Sequence, residues 1–211
     1  MAHIYFIGGT PRTGKTTLAN LFTKSQPIAS LCADHIRYLL RNLVSSEDYP
    51  ELFAFIKYVS NDSGRRQELQ DDHQKALLMQ IAESRMVWAS AQAYIQSSLN
   101  DDQDLLVEGL AIMPEFLKDN NYEFSAIFLG NQSYKHRTIV ERHARDNSFD
   151  WMHDLDTETI SMFADLNLSY SKLMEQESKK LGYQYYEIHD QTFEQDLNEA
   201  RDFLLSQQLD R

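Results

Sequence analysis

One eight-residue segment carries the strongest chemical signal in this 211-residue sequence. It reads G-T-P-R-T-G-K-T and fits the pattern G-x-x-x-x-G-K-[ST] in full, and its residues, with the one that follows, are Gly9, Thr10, Pro11, Arg12, Thr13, Gly14, Lys15, Thr16 and Thr17. Glycines let a backbone curl around a phosphate so that successive N–H groups point inward. In such a P-loop the lysine reaches the β- and γ-phosphates, and the hydroxyl after it binds Mg²⁺. The segment therefore predicts a site for a nucleoside triphosphate, ATP, with Mg²⁺.

The surroundings of this segment favour the same interpretation. Residues 3–7 form an apolar run typical of a buried strand, and Leu18, Leu21 and Phe22 then recur at helical spacing. The N-terminus of such a helix presents free N–H groups and a positive dipole end to a phosphate. An accidental match, a glycine-containing turn, is expected in about 1% of chains of this length. The strand before the segment and the helix after it make that alternative weaker still.

A P-loop alone does not distinguish kinases from GTPases or motor ATPases. None of the seven glycines has an aspartate three residues before it, and the sequence N-K-x-D does not occur. The D-x-x-G and guanine-reading motifs of GTPases are therefore missing from the sequence. A motor ATPase normally has a longer chain and a clearer acidic strand end. We therefore expect a kinase.

The elements that must position the loop alternate along the chain. The predicted strands are residues 3–7, 28–33, 105–108, 124–129 and 185–188. The predicted helices are residues 15–24, 35–43, 52–59, 65–99, 134–146, 157–181 and 193–205. This alternation is typical of a three-layer α/β protein, here a P-loop NTPase fold with a five-stranded parallel sheet covered by helices on both faces. We expect one domain over residues 1–211, with a mostly helical insert at about 44–103.

Apolar residues at helical spacing predict which faces of the helices are buried. In the second helix these are Ile36, Leu39, Leu40 and Leu43. In the long insert helix they are Leu77, Leu78, Ile81, Met86, Trp88, Ala91 and Ile95. In helix 157–181 they are Met162, Phe163, Leu166, Tyr170, Leu173 and Met174.

The composition narrows the classes of partner. The formal net charge is −12, and such an acidic surface repels phosphate backbones, so nucleic-acid binding is disfavoured. The single cysteine, Cys32, leaves no partner for an intrachain disulfide and is expected to be a small buried side chain in a reducing compartment. The sequence shows neither a targeting segment nor an apolar run long enough to span a membrane. We expect a cytoplasmic protein without a membrane partner, and the oligomeric state is not indicated.

Three segments together resemble the nucleoside-monophosphate-kinase-like branch of P-loop kinases. The opening F-I-G-G-T…G-K-T-T, residues 6–17, is especially similar to 2-phosphoglycerate kinase and related small-molecule kinases. Asp34-His35-Ile36-Arg37 resembles the D-x-x-R motif of many small-molecule and polynucleotide 5′-kinases. Val107-Glu108-Gly109 resembles the acidic strand end of these enzymes, although many of them have aspartate there. The resemblance covers the order of elements along most of the chain, and only the P-loop is specific.

The resemblance implies a role for Asp34 in activating the acceptor. A carboxylate at the carboxyl end of a parallel strand can orient a substrate hydroxyl or accept its proton, because ligands gather at that edge. The alternative is that Asp34 caps the helix that follows, for which aspartate is well suited. Arg37, about one turn later, could hold a substrate anion or be a solvated helix charge. Both alternatives stay open at the level of sequence.

The resemblance also implies roles for Glu108 and for a lid. Glu108 would bind the Mg²⁺ shell through water or orient the acceptor, and its alternative is a structural carboxylate. A lid at about residues 137–155 would place Arg142 and Arg145 over the phosphates to neutralise the transferring group, whereas a solvated role is favoured for Arg137. Their alternative is a solvated basic face paired with neighbouring acids.

The sequence thus leads to three functional hypotheses. The first is an ATP-dependent phosphotransferase that transfers the γ-phosphoryl group to a small hydroxyl- or phosphate-bearing metabolite. The second is a nucleotide-binding regulatory ATPase that acts through a protein partner. The third is a nucleic-acid 5′-kinase, which fits the D-x-x-R motif but suits the acidic charge poorly. The acceptor itself is not indicated.

Overall fold

The structure of the chain, a computed structural model, describes residues 2–59, 73–148 and 150–209. The strands are β1 (Ile4–Gly9), β2 (Ala29–Cys32), β3 (Leu105–Glu108), β4 (Phe124–Gly130) and β5 (Gln184–Glu187). The described helices are α1 (Lys15–Ser25), α2 (Ala33–Leu43), α3 (Pro50–Val59), α4 (His73–Asn100), α5 (Pro114–Leu117), α6 (His136–Asp146), α7 (Thr157–Leu181) and α8 (Phe193–Leu209). The predicted start of the long insert helix at residue 65 lies outside the described residues.

The five strands form one parallel sheet with the order β2-β3-β1-β4-β5. The register places Glu108 of β3 beside Ile7 of β1 and beside Cys32 of β2. Because all strands run the same way, their carboxyl ends meet at one edge of the sheet. The P-loop follows β1, the central strand, at that edge. The predicted α/β fold with a five-stranded parallel sheet is confirmed.

Each face of the sheet is covered by its own apolar core. Along β1 the side chains alternate, so Ile4 and Phe6 belong to one core and Tyr5 and Ile7 to the other. The first core contains residues of α4, α5 and α7, and the second contains residues of α1 and α8. All six residues of β1 are buried, which explains its continuous apolar sequence. The P-loop is therefore attached to a fully buried strand.

The face that α2 buries differs from the predicted one. Ile36 and Leu40 pack against the first core as expected, but Leu39 and Leu43 are mostly exposed. Residues on a helix are separated by about 100°, so Arg37 and Arg41 lie next to Leu40 on the side away from Leu39. Both arginines are turned inward to a carboxylate of α4. Because of these ion pairs, the face of α2 that packs on the core is rotated, relative to the predicted face, toward Arg37 and Arg41.

Two other features of the helical region were not predicted correctly. Leu78 was placed on the buried side of α4, but it is mostly exposed, whereas the neighbouring Leu77 packs on the core. Helix α5 was missed, because four residues are too few to show a helical period. The long helix α7 begins and ends as predicted, and its capping is clear: Asp156 accepts a hydrogen bond from the Thr159 backbone N–H at 2.7 Å. Among the described residues, no helix is long and apolar enough to cross a membrane.

Candidate active site

The P-loop has the backbone shape that its glycines predict. Gly9 has a φ of 122°, and a Cβ there would lie 2.0 Å from the carbonyl oxygen of Leu129. Gly14 has a φ of 89° and is the N-cap of α1, and a Cβ there would lie 2.8 Å from the ring of Phe193. Both positions therefore exclude any side chain, for reasons of conformation and of space. The free N–H groups of the first turn of α1 follow directly, which is the arrangement that binds phosphate.

Lys15 is buried in the middle of this loop. Its Nζ donates a hydrogen bond to the carbonyl oxygen of Thr10 at 2.7 Å, and the Thr13 hydroxyl donates to the same oxygen at 2.7 Å. An ammonium group has three donors, so this bond leaves two for a ligand. Burial lowers the pKa of Lys15, while the charges of Asp34 and Glu108 raise it in part. The side chain is thus held in place in a site where bound phosphate would restore its preference for the charged form.

The rest of the P-loop is anchored to the helices around it. The Thr10 N–H donates to the carbonyl oxygen of Leu129 at 2.8 Å, and its hydroxyl lies 2.8 Å from the hydroxyl of Ser171 on α7. Arg12, which has a φ of 67°, forms an ion pair with Asp150. Pro11 lies between these two anchored residues and lines the cavity described below. Thr17 is exposed on the first turn of α1.

Thr16 and Glu108 lie together at the carboxyl edge of the sheet. The Thr16 hydroxyl donates a hydrogen bond to Oε1 of Glu108 at 3.1 Å, and Glu108 is 3% exposed. Magnesium is commonly held by one or two protein oxygens together with phosphate oxygens and water. A hydroxyl and a carboxylate beside a phosphate-binding loop fit that requirement. Among the residues that the structure describes, Thr16 and Glu108 could together hold Mg²⁺.

Asp34 lies in the first turn of α2, close to the same edge. Its Oδ1 accepts a hydrogen bond from the Leu110 N–H at 3.2 Å and lies 3.5 Å from Nη2 of Arg37. The N-cap of α2 is Cys32, and no side chain caps this helix. Capping of α2, the alternative considered for Asp34 on sequence grounds, is therefore not its role. The carboxylate is instead oriented toward the loop after β3.

A buried carboxylate on α4 organises the arginines of α2. Oε1 of Glu83 forms an ion pair with Nε of Arg37 and lies 2.9 Å from Nη2 of Arg41. The side chain of Glu83 is only 1% exposed, and burial raises its pKa, against the opposing effect of the two guanidiniums. Arg41 also donates from Nε to the carbonyl oxygen of Leu52 at 2.9 Å. Arg37 is therefore a partly buried, paired side chain and not a solvated helix charge.

These groups surround a cavity of about 360 Å³. Its charged lining consists of Arg12, Lys15, Asp34, Arg37 and Arg41. Its aromatic and apolar lining comes mainly from α7 and from the link before it, with Phe55 of α3. The reactive end of the P-loop thus opens into a cavity large enough for a small organic molecule.

The predicted lid arginines are not part of this cavity lining. Arg142 and Arg145 are exposed on α6. Arg145 donates to the carbonyl oxygen of His153 at 2.8 Å and lies 3.3 Å from the Thr157 hydroxyl. Arg137 lies 3.5 Å from a carboxylate oxygen of Glu141 on the same helix. A phosphate-binding role for these arginines stays a prediction, and Arg12 is the arginine that lies in the loop itself.

Several residues of the site were not found from the sequence. Glu83 and Arg41 were overlooked, although an acidic residue within the apolar stripe of a helix and two arginines four residues apart were visible signals. Ser171 carried no signal, because a serine in a long helix is ordinary. Tyr170 was predicted as a buried residue of helix 157–181, and it also lines the cavity, as does Trp151 on the link before that helix.

Comparisons with known proteins find only distant structural similarity. No protein-family model and no curated protein matches the chain. Among solved structures, the dephospho-CoA kinase from Campylobacter jejuni is 14% identical, covers 98% of this chain and 100% of its own, and has a TM-score of 0.46. The shikimate kinase from Bacteroides thetaiotaomicron is 15% identical, with coverages of 96% and 98% and a TM-score of 0.48. A gluconokinase from Sinorhizobium meliloti is 8% identical, with 97% of both chains covered and a TM-score of 0.45.

Proposed function

We propose that this protein is an ATP-dependent kinase that phosphorylates a small hydroxyl-bearing molecule. The observation that carries the proposal is that Lys15 of the P-loop and Asp34 of α2 line one cavity. A kinase needs such an arrangement, because donor and acceptor must meet in a shielded site. A nucleotide-binding regulator needs only the loop. The cavity therefore favours phosphoryl transfer over regulation through a partner.

In this proposal each residue has a defined part in the transfer. The P-loop N–H groups and Lys15 hold the β- and γ-phosphates. Asp34 orients the acceptor hydroxyl and takes its proton. A bond forms between the acceptor oxygen and the γ-phosphorus while the bond from that phosphorus to the bridging oxygen breaks, and ADP leaves with the electron pair. Positioning and electrostatic stabilisation supply most of the rate in reactions of this kind.

The metal and the lid complete the proposed site. Mg²⁺, held by Thr16 and through water by Glu108, would supply positive charge to the phosphate oxygens. Arg12 is part of the P-loop and therefore lies close to the proposed phosphate site without any movement of a lid. Arg142 and Arg145 are proposed to approach the phosphates when the segment of residues 137–155 closes over bound ATP, which requires Arg145 to leave His153 and Thr157.

The decisive experiment measures ADP formation from MgATP with a panel of hydroxyl-bearing metabolites. An acceptor should raise turnover well above the basal rate in the wild type, and Lys15→Ala should abolish the increase. Asp34→Asn should lose the transfer and keep ATP binding, since Asp34 acts on the acceptor. If ATP binds but no acceptor raises the rate, and Asp34→Asn keeps the basal hydrolysis, the regulatory hypothesis is favoured instead. An oligonucleotide with a 5′-hydroxyl belongs in the panel and tests the nucleic-acid alternative.

A further inference from the structure

The charged residues that α2 contributes to the cavity are paired within the protein. Asp34, Arg37 and Arg41 lie on one side of α2 and line the cavity, and both arginines contact Glu83 of α4. Arg37 also lies 3.5 Å from Oδ1 of Asp34. Each arginine of α2 in this wall therefore already has a carboxylate partner. An acceptor does not have to bring an anion in order to satisfy this wall.

The wall of the cavity formed by α7 is apolar and aromatic, in contrast to the charged wall formed by α2. Phe163, Leu166 and Tyr170 lie three and four residues apart and therefore share one face, and all three line the cavity. Tyr170 donates its hydroxyl to the carbonyl oxygen of Leu110 at 2.8 Å, and the N–H of Leu110 binds Asp34. Seven residues of helix separate Tyr170 from Phe163, a rise of about 10 Å. The cavity thus extends along α7 from the proposed reactive carboxylate to Phe163.

Aromatic rings surround the far end of this wall. The ring of Phe163 lies 5.1 Å from that of Trp151 and 5.6 Å from that of Phe55, in both cases edge to face. Phe163 is buried, whereas Trp151 is 56% exposed although it lines the cavity. An exposed indole beside an apolar cavity is a surface that gains from contact with another ring. A short polar molecule bound near Asp34 would leave the aromatic side chains at this end of the cavity in contact with water.

From these two walls we infer that the acceptor is an uncharged hydroxyl compound with an apolar ring. This inference rests on the proposed kinase function and adds the chemical class of the substrate. The hydroxyl lies at Asp34, and the ring lies against Phe163 and Trp151. The volume of about 360 Å³ lies in the range of pockets that bind small organic ligands. Arg37 then positions Asp34 and does not anchor a substrate anion.

The test uses four matched probes with the wild-type protein and the non-hydrolysable ATP analogue AMP-PNP with Mg²⁺. They are 3-phenyl-1,2-propanediol, glycerol, 3-phenyllactate and glycerate, so that ring and charge vary separately. Titration calorimetry gives the affinities. We expect the phenyl diol to bind about tenfold or more tightly than glycerol. We also expect 3-phenyllactate to bind no more tightly than the phenyl diol.

A second readout locates the bound ring. The chain has two tryptophans, and Trp88 is buried in the first core, so a fluorescence change on binding reports Trp151. Trp151→Phe should lose that change while the phenyl diol still binds, because the ring at this position is kept. Phe163→Leu should weaken the phenyl diol several-fold and leave AMP-PNP binding unchanged, which also shows that the variant is folded.

The outcomes separate this inference from the kinase proposal. Three results would overturn the inference. The phenyl diol could fail to bind, or glycerol or glycerate could bind as tightly as the phenyl diol. The third is that 3-phenyllactate binds tenfold more tightly than the phenyl diol. Turnover of ATP with glycerate alone would likewise overturn it while supporting a kinase. Binding of the phenyl diol at Trp151 without phosphoryl transfer to it from MgATP would support the pocket assignment and count against the kinase.

Discussion

At the scale of single residues, Lys15 determines how nucleotide binding depends on pH. Burial lowers its pKa in the free protein, and bound phosphates must raise it again. Below the lowered pKa the ammonium is charged in both states, and the affinity is constant. Above it, binding takes up a proton, so the affinity should fall by up to about tenfold per pH unit.

This pH dependence can be measured by titrating AMP-PNP with Mg²⁺ between about pH 7 and pH 10. The matched control is Lys15→Arg, whose guanidinium stays charged over the whole range. The variant should bind more weakly at neutral pH and lack the alkaline loss of affinity. An identical alkaline loss in both proteins would assign it to another group.

Cys32 should be unusually unreactive for a half-buried cysteine. Burial raises the pKa of its thiol to about 12, and hydrogen bonding to Glu108 and that residue's charge act in the same direction. At pH 8 the thiolate fraction is then about a thousandfold below that of an ordinary thiol. Alkylation by iodoacetamide, followed by mass spectrometry, should be slower than that of free glutathione by a similar factor. A rate close to that of glutathione would contradict both the burial of this thiol and its contact with Glu108.

At the scale of elements, the contact between α2 and α4 depends on one carboxylate. Glu83 is almost fully buried and is paired with both Arg37 and Arg41. Glu83→Gln leaves two largely buried guanidiniums without a counter-charge, so the free energy of unfolding should fall by about 3 kcal/mol. Urea denaturation measures this change. The control is Glu115→Gln, which removes an exposed pair with Arg85 at 3.5 Å and should cost less than about 0.5 kcal/mol.

The same contact shows where prediction from sequence succeeds and fails. Strand and helix types follow from local periodicity, and the predicted bounds of α7 agree with the structure, in which Asp156 and Gly182 cap its two ends. The rotation of α2 was missed, because periodicity counts apolar residues and cannot show that Arg37 and Arg41 face inward. That orientation depends on Glu83, which is 42 residues away from Arg41. Pairing over such distances is a property of the folded chain.

The residues of the candidate site likewise fall into those that one local segment predicts and those that only the folded chain brings together. Gly9, Gly14, Lys15 and Thr16 were identified together, because a P-loop is one continuous segment whose function depends on its own backbone. Glu108 was linked to the magnesium site only through the resemblance to P-loop kinases, and the structure places its carboxylate 3.1 Å from the Thr16 hydroxyl. The aromatic wall of the cavity comes from α3, α7 and the link before α7, so no single segment of sequence could indicate it.

At the scale of the whole molecule, ligands should stabilise the fold as a unit. The P-loop follows the central strand β1, and the cavity is lined by residues of α2, α3, α4 and α7. A ligand that binds only the folded state at a hundred times its dissociation constant adds about 2.7 kcal/mol to stability. For a chain of 211 residues this corresponds to a rise in Tm of roughly 5–11 °C.

Thermal unfolding with AMP-PNP and Mg²⁺ at saturation tests this expectation. The wild type should show the full rise, and Lys15→Ala should show little at the same ligand concentration, because its phosphate contacts are reduced. Adding 3-phenyl-1,2-propanediol should raise the Tm further in the wild type, since nucleotide and acceptor occupy adjoining parts of one site. An equal rise in Lys15→Ala would place the nucleotide elsewhere than the P-loop. A rise with nucleotide but none with the diol would keep the P-loop assignment and reject the proposed acceptor class.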